Sequence, residues 1–365
     1  MSAVTVIAEA GVNHNGRLDL ALALVDAAAD AGADVVKFQT FRAEELATRE
    51  AVQADYQVRN TGRVESQFEM LKALELDADA HRSLLDRCRA RQVEFLSTPF
   101  DETSLRLLVD GLGVERLKVG SGDLTNAPLL LKIARTGRNV ILSTGMATLD
   151  EIDEALGVLA CGYTEQKEAG GRAFRVAFES ASGRAALRSK VVLLHCTSDY
   201  PAPDEEINLR AIDTLAERYD LPVGLSDHSV GISVPIAAVA RGAAVIEKHL
   251  TLDRSMTGPD HAASIEPNEF QAMVAGIRQV ERAIGQGGKA PTPSERKTMP
   301  VARKSLVARI PIRAGEAFDA RNIAVKRPGT GLAPGLFWDL LGRRATRDYA
   351  ADELIAESVG GTHRN

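Results

Sequence analysis

The chain has 365 residues, 45% of them hydrophobic, with a formal net charge of −6. Its length predicts about two or three domains of roughly 150 residues each, and its acidic balance excludes nucleic acid as the expected partner. No run of about 18 apolar residues predicts a membrane span, the start MSAV lacks the pattern of a signal peptide, and three unpaired-looking cysteines (Cys88, Cys161, Cys196) fit a cytoplasmic chain rather than a disulfide framework.

A short β-branched run predicts a strand at 4–8, followed by a helix at 18–31 and a strand at 34–39. Residues 41–76 then interrupt the pattern, and so long an insertion reads as a lid or binding loop. A helix at 78–91 leads to a strand at 93–97. The alternation continues with helix 103–110, strand 116–119, helix 127–135, strand 139–143 and helix 149–160. A polar, glycine-rich insertion at 162–189 reads as surface decoration or a contact surface on the face away from the chemistry. Strand 191–195, helix 209–218, strand 222–225, helix 234–241, strand 244–248 and helix 267–284 follow. Continuously apolar strands between amphipathic helices imply a parallel sheet covered on both faces. Eight repeats favour a (β/α)8 TIM barrel over 1–285, with an open doubly wound sheet as the alternative. The stretch GVNHNG at 11–16 lacks the glycine spacing of a dinucleotide loop. The segment GQGGKAPTP, from 285, marks a linker taken as 286–299, and 300–365 reads as a small, mostly β module with a marginal core.

Chemistry collects at the carboxyl ends of these strands, the active-site face of such a barrel. The first ends in Glu9. The second carries Lys37 and Gln39, two apart and so on one side. The next four contribute Thr98; Lys118, Ser121 and Asp123; Ser143; and Cys196, Ser198 and Tyr200. The seventh and eighth lead to His228 and His249, with Asp260 beyond. Taken singly, each has a plain reading: a solvated lysine, a capping serine, a core histidine at His195, a packing thiol at Cys196, a loop cap or substrate contact at His14. Together they suggest a site. Two neutral imidazoles suit Mn²⁺, with Mg²⁺ or Co²⁺ as alternatives, and leave positions for water and substrate. Lys37 and Lys118 can neutralise a carboxylate and a phosphate, and the hydroxyls of Thr98, Ser121, Ser143, Ser198 and Ser226 can donate to phosphate oxygens. Glu9 and Asp123 are candidates for proton transfer or for gripping sugar hydroxyls.

The motifs IAEAGVNHNG, KFQT, STPF, KVGSGDLTN, LSTGMATLDE, LLHCTSDYPAP, GLSDHS, EKHLT and GPDHAAS follow one another in order along residues 7–264. With them the chain resembles the sialic acid synthase family, whose members make N-acetylneuraminate, legionaminate or pseudaminate. RKSLVA and KRPGTG near the C-terminus resemble the family's antifreeze-like SAF domain. The resemblance implies a metal-dependent condensation of phosphoenolpyruvate with N-acetylmannosamine, with C–O cleavage and phosphate release. The alternative acceptor is 2,4-diacetamido-2,4,6-trideoxymannose, giving N,N'-diacetyllegionaminate; pseudaminate synthesis is a more distant reading. By resemblance His228 and His249 hold the metal, and Lys37, Thr98, Lys118, Ser121, Ser143, Ser198 and Ser226 hold phosphoenolpyruvate. Glu9, Gln39, Asp123, Tyr200 and Asp260 surround the sugar. Arg327 reaches the partner's sugar site in a domain-swapped homodimer. Two positions depart from the family pattern: Asp123 stands where many bacterial members carry Glu, and Ser198 where some carry Asn. Competing readings are an aldolase using Lys37 or Lys118 as a Schiff base, and a non-enzymatic ice- or carbohydrate-binding protein.

Overall fold

The computed structural model describes residues 3–62 and 65–359. Its chain divides into two compact units, Met1–Gly285 and Gln286–Asn365. The first contains eight parallel strands: β1 (Thr5–Gly11), β2 (Val35–Thr40), β3 (Glu94–Pro99), β4 (Arg116–Val119), β5 (Asn139–Ser143), β6 (Val191–Cys196), β7 (Val223–Asp227) and β8 (Val245–His249). They pair in the order β3-β2-β1-β8-β7-β6-β5-β4. The two terminal strands of that order, β3 and β4, lie against each other and round the sheet into a TIM-type cylinder. The open doubly wound alternative is thereby set aside.

Period two along each strand sorts the side chains. Val6, Ala8, Val36, Phe38, Phe95, Leu117, Leu142, Leu193, Leu225 and Ile246 point outward into the main core beneath the helices. Ile7, Val35, Leu96, Ile141, Leu194 and Val245 point inward and form a separate apolar plug. Each buried side chain of this size stabilises the fold by about 1.5–3 kcal/mol. Two residues further along the same six strands stand Glu9, Lys37, Thr98, Ser143, Cys196 and Glu247. The register that builds the plug therefore also builds a polar floor above it. Gly224 in β7 shows how tightly the cylinder is wound, because a Cβ there would lie 2.2 Å from the Val245 carbonyl oxygen.

The helices follow the apolar spacing. Ala21, Leu24, Val25 and Ala28 line the buried face of helix Leu18–Asp30. A capping box between Thr148 and Glu151 starts helix Leu149–Tyr163. Both insertions carry more structure than their composition suggests. The first contains helices Ala43–Leu46, Asp55–Thr61 and Gln67–Leu74. Met70 and Leu74 from this segment cluster with Val12 and Phe41, and Leu46, Leu71 and Phe100 pack beside them. The second contains helices Gly171–Glu179 and Ala181–Lys190, whose Ala177 and Leu187 enter the main core. This insertion is integral packing rather than surface decoration.

The second unit holds an antiparallel pair, β9 (Ser305–Ala308) with β10 (Ile323–Lys326). Isolated bridges at Val307–Leu354, Ile312–Tyr349 and Ala317–Arg344 extend its β character. Leu306, Ile312, Phe318, Ile323, Leu340, Tyr349 and Ile355 form its core. The segment expected as a 286–299 linker contains most of a helix, Pro293–Ala302, started by a Thr292–Glu295 capping box. The glycine-proline composition concealed this helix, since proline is well placed in a first turn.

Candidate active site

A cavity of about 510 Å³ opens at the carboxyl ends of the barrel strands. All of the expected site residues line it except Asp123 and Arg327. Asp123 ends the turn Ser121–Asp123, where its carboxylate accepts a hydrogen bond from Asn126 Nδ2 at 2.9 Å and burial raises its pKa. Arg327 lies in the second unit, exposed just beyond β10, and its Nε donates to the Ala302 carbonyl.

Two lysines and two glutamates dominate the floor. Lys37 Nζ lies 2.7 Å from Glu9 Oε2 and 2.8 Å from Glu247 Oε2. Lys118 Nζ donates to Ser143 Oγ at 2.5 Å and the Val119 carbonyl at 3.0 Å, and stands 3.8 Å from Glu247 Oε1. Ser226 Oγ donates to Glu247 Oε1 at 2.7 Å. Burial pulls Lys37 down to about 7 against the opposing pull of Glu247. Burial alone would raise Glu247, but Lys118 and Lys37 together outweigh it and hold the carboxyl at about 2. Glu247 therefore ties the two lysines together. No role fell to it in the sequence reading, although its place two residues before His249 puts both on the same inward face.

The histidines form a second group. The ring centroids of His228 and His249 are 5.5 Å apart, and the Tyr200 ring packs 4.1 Å from His228 and 5.7 Å from His249. Burial lowers His228 to about 4. His249 falls well below its usual value, through burial and then the neighbouring His228 and Lys37. Both are neutral near pH 7. His228 Nδ1 lies 2.6 Å from the Thr197 carbonyl oxygen. A carbonyl only accepts, so the proton sits on Nδ1 and the Nε2 lone pair faces the Ser226 hydroxyl at 3.4 Å, whose hydrogen goes to Glu247. His249 Nδ1 is buried with no hydrogen-bond partner among the described residues.

At the third part of the floor, the Gly145 amide donates to Ser121 Oγ at 3.0 Å and to Cys196 Sγ at 3.1 Å. A Cβ on Gly145 would lie 2.5 Å from Ser198 Oγ, 2.8 Å from Ser121 Oγ and 2.9 Å from Cys196 Sγ. These groups thus converge on one small volume. Cys196 faces the cavity, so the expectation of a packing thiol is incomplete. The outward alternation that puts Cys196 inside puts His195 outside, where its Nε2 contacts the Ile207 carbonyl at 2.6 Å. His14 is a loop cap: its Nδ1 accepts from the Gly16 amide at 3.0 Å.

Over this floor stands an apolar wall. Val12, Leu46, Met70, Leu71, Leu74 and Phe100 line the cavity, largely from the first insertion. Asn60 Nδ2 fastens this segment to the opposite rim through the Pro259 carbonyl at 2.6 Å. Asp260, beside it, is raised by burial to about 6.

The pattern for the NeuB family matches residues 24–289, and that for the SAF domain matches residues 303–358. The chain belongs to the NeuB family. It is 46% identical over 357 residues to the N,N'-diacetyllegionaminic acid synthase of Campylobacter jejuni, covering 98% of this chain and 100% of that protein. It is 42% identical to the N,N'-diacetyllegionaminic acid synthase of Legionella pneumophila, covering 96% and 92%. Among solved structures, the N-acetylneuraminic acid synthetase of Leptospira borgpetersenii in complex with citrate matches with a TM-score of 0.66 and 35% identity. That match covers 81% of this chain and 90% of the other. The chain is accordingly an enzyme of the nonulosonic acid synthase class, and the non-enzymatic and aldolase readings give way to that membership.

Proposed function

We propose that this chain condenses phosphoenolpyruvate with 2,4-diacetamido-2,4,6-trideoxymannose, giving N,N'-diacetyllegionaminate and phosphate. The sequence reading put N-acetylmannosamine first and this sugar second. Identities of 46% and 42% to two legionaminic acid synthases, against 35% to the N-acetylneuraminic acid synthetase, support the reverse order. The apolar wall agrees with it. A 6-deoxy sugar offers a methyl group where N-acetylmannosamine offers a hydroxyl, and an apolar surface leaves a hydroxyl unpaired.

The observation that carries the chemistry is the joined floor of two ammonium groups, converging hydroxyls and two neutral imidazoles within one cavity. Lys37 and Lys118, with Thr98, Ser121, Ser143, Ser198 and Ser226, hold the phosphate and carboxylate of phosphoenolpyruvate. Glu9, Gln39, Tyr200 and Asp260 surround the sugar, with the carboxyl groups gripping hydroxyls and moving protons. C3 of phosphoenolpyruvate attacks the aldehyde carbon, water adds at C2, and phosphate leaves with cleavage of the C2–O bond. Two neutral imidazoles fit a divalent cation, because His228 Nε2 carries a lone pair with only a long contact to Ser226 at 3.4 Å and His249 Nδ1 is buried without a partner among the described residues. No group of three or more His, Cys, Asp or Glu suited to a metal exists among the described residues, so water and substrate would complete the coordination. Mn²⁺, Mg²⁺ or Co²⁺ held by His228 and His249 would supply Lewis-acid polarisation of the aldehyde oxygen. In a domain-swapped homodimer the exposed Arg327 would meet the partner's sugar. The exposed Trp338 gives the same unit an apolar surface to dock.

The deciding experiment is phosphate release from phosphoenolpyruvate with Mn²⁺, comparing the two sugars and recording product mass. Turnover that depends on the diacetamido sugar supports the proposal. Turnover with N-acetylmannosamine alone returns the first reading, and no release with either sugar overturns both.

A further inference from the structure

Behind the two imidazoles, on the outer face of the barrel, lies an ion pair that none of the proposed chemistry uses. Lys248 Nζ stands 2.5 Å from Asp227 Oδ2, and neither side chain has any exposed surface. The same Nζ donates to the Ser229 carbonyl oxygen at 2.6 Å. Asp227 Oδ1 in turn accepts from the Ser229 amide at 3.0 Å and from Ser229 Oγ at 2.7 Å. Asp227 and Lys248 are also register partners on the last rung of the β7–β8 ladder.

Their place in the chain gives this network its meaning. Asp227 precedes His228, and Ser229 follows it. Lys248 precedes His249. The backbone of His228 is therefore held on both sides by groups bonded to Lys248, and Lys248 is one peptide away from the second imidazole. Alternation sends the ion pair outward and the two histidines inward. A fully buried ion pair carries a heavy desolvation cost, and an apolar pair of the same volume is often as stable or more so. Stability alone is thus a weak reason for this arrangement.

We propose that Asp227, Lys248 and Ser229 are positioning residues that set His228 and His249 at the separation a divalent cation requires. The inference rests on the metal reading given above. The pair clamps the carboxyl ends of β7 and β8 against each other at the height where the ladder stops. Beyond this rung the β7–β8 ladder no longer joins the two histidines to each other, and β8 is held at His249 only from the β1 side.

The test is Mn²⁺ binding to the full-length protein, followed by electron paramagnetic resonance of free Mn²⁺, with no substrate present. Asp227→Asn removes the charge and keeps the shape. An Asp227→Leu/Lys248→Met double variant replaces the pair with apolar side chains. Wild type should bind one Mn²⁺ per chain. Both variants should bind about 10- to 100-fold more weakly, the range for residues that orient metal ligands, and the double variant should melt at or above the wild-type temperature. Weakened binding without loss of stability separates positioning from a structural role. Variants that bind Mn²⁺ like wild type would overturn the proposal. A wild type that binds none would overturn the metal reading itself, which is a distinguishable result. If the double variant does not fold, Asp227→Asn carries the test alone.

Discussion

Replacing His14 by Asn should make folding less sensitive to acid, by an amount the structure supplies. His14 is 1% exposed and caps its loop as a neutral acceptor. Burial first, then nearby His81, lowers it from 6.5 to about 4. The folded value lies below the unfolded one, so the unfolded chain takes up this proton first as pH falls. The neutral ring's contribution is complete above about pH 6.5 and is lost progressively down to about pH 4. The gap of about 2.5 pH units corresponds to about 3.4 kcal/mol in full, of which about 2 kcal/mol is gone by about pH 5. Asn keeps an acceptor for the Gly16 amide and does not titrate. It gives up ring packing near Phe38, whose centroid is 6.3 Å away, and so lowers stability at every pH alike. Urea unfolding at about pH 7.5 and about pH 5 isolates the titration from that constant loss. Wild type should lose about 2 kcal/mol more than the variant over this interval. An equal loss in both proteins would show that His14 titrates normally and that its burial does not hold it neutral.

Gly145→Ala should lower kcat/KM for phosphoenolpyruvate at least tenfold, because its Cβ would collide with Ser198, Ser121 and Cys196 together. Steady-state kinetics would check it, and an unchanged value would remove this corner of the floor from phosphate binding. Leu71→Gln should shift the ratio of kcat/KM for the diacetamido sugar over N-acetylmannosamine by about tenfold toward the latter, the scale of one pocket contact. An unchanged ratio would detach the apolar wall from acceptor choice. Arg327→Ala should raise the sugar KM and leave that of phosphoenolpyruvate alone; an unaltered sugar KM would sink the cross-subunit contact.

What the sequence made legible follows from alternation. Apolar runs located the strands, and polar residues at their ends located nearly the whole floor. Glu247 escaped because, read as one letter in EKHLT, it has no visible partner; its meaning comes from Lys37 and Lys118, which lie over a hundred residues away and meet it only when the cylinder closes. Asp227 and Lys248 escaped for the same reason, compounded by facing outward, where charge is not expected to be buried. Asp123, given a sugar-side role by the family resemblance, sits at the end of the turn Ser121–Asp123 with its carboxylate hydrogen-bonded to Asn126, a contact that strand spacing alone does not reveal. The insertions were underestimated because their polar composition conceals short amphipathic helices. Only tertiary partners such as Val12 and Phe41 make those helices worth forming.

For the proposed pair of ligands, phosphoenolpyruvate and a divalent cation, the charges in the cavity imply that each helps the other. Lys37 and Lys118 are already matched by Glu9 and Glu247. Phosphoenolpyruvate brings close to three negative charges into a floor that holds no surplus positive charge to meet them. A divalent cation alone meets Lys37, whose charge already depresses His228 and His249. Each ligand therefore lacks the compensation the other supplies. Thermodynamic linkage makes the benefit reciprocal, with couplings of about 1–3 kcal/mol, or about 5- to 150-fold in affinity. Mn²⁺ titrated with and without saturating phosphoenolpyruvate should bind more tightly in its presence by a factor in that range. Phosphoenolpyruvate titrated with and without Mn²⁺ should tighten by the same factor. Equal affinities in both arms would mean that the two ligands do not share this floor, and the assignment of Lys37 and the two histidines to one reaction would fall with them.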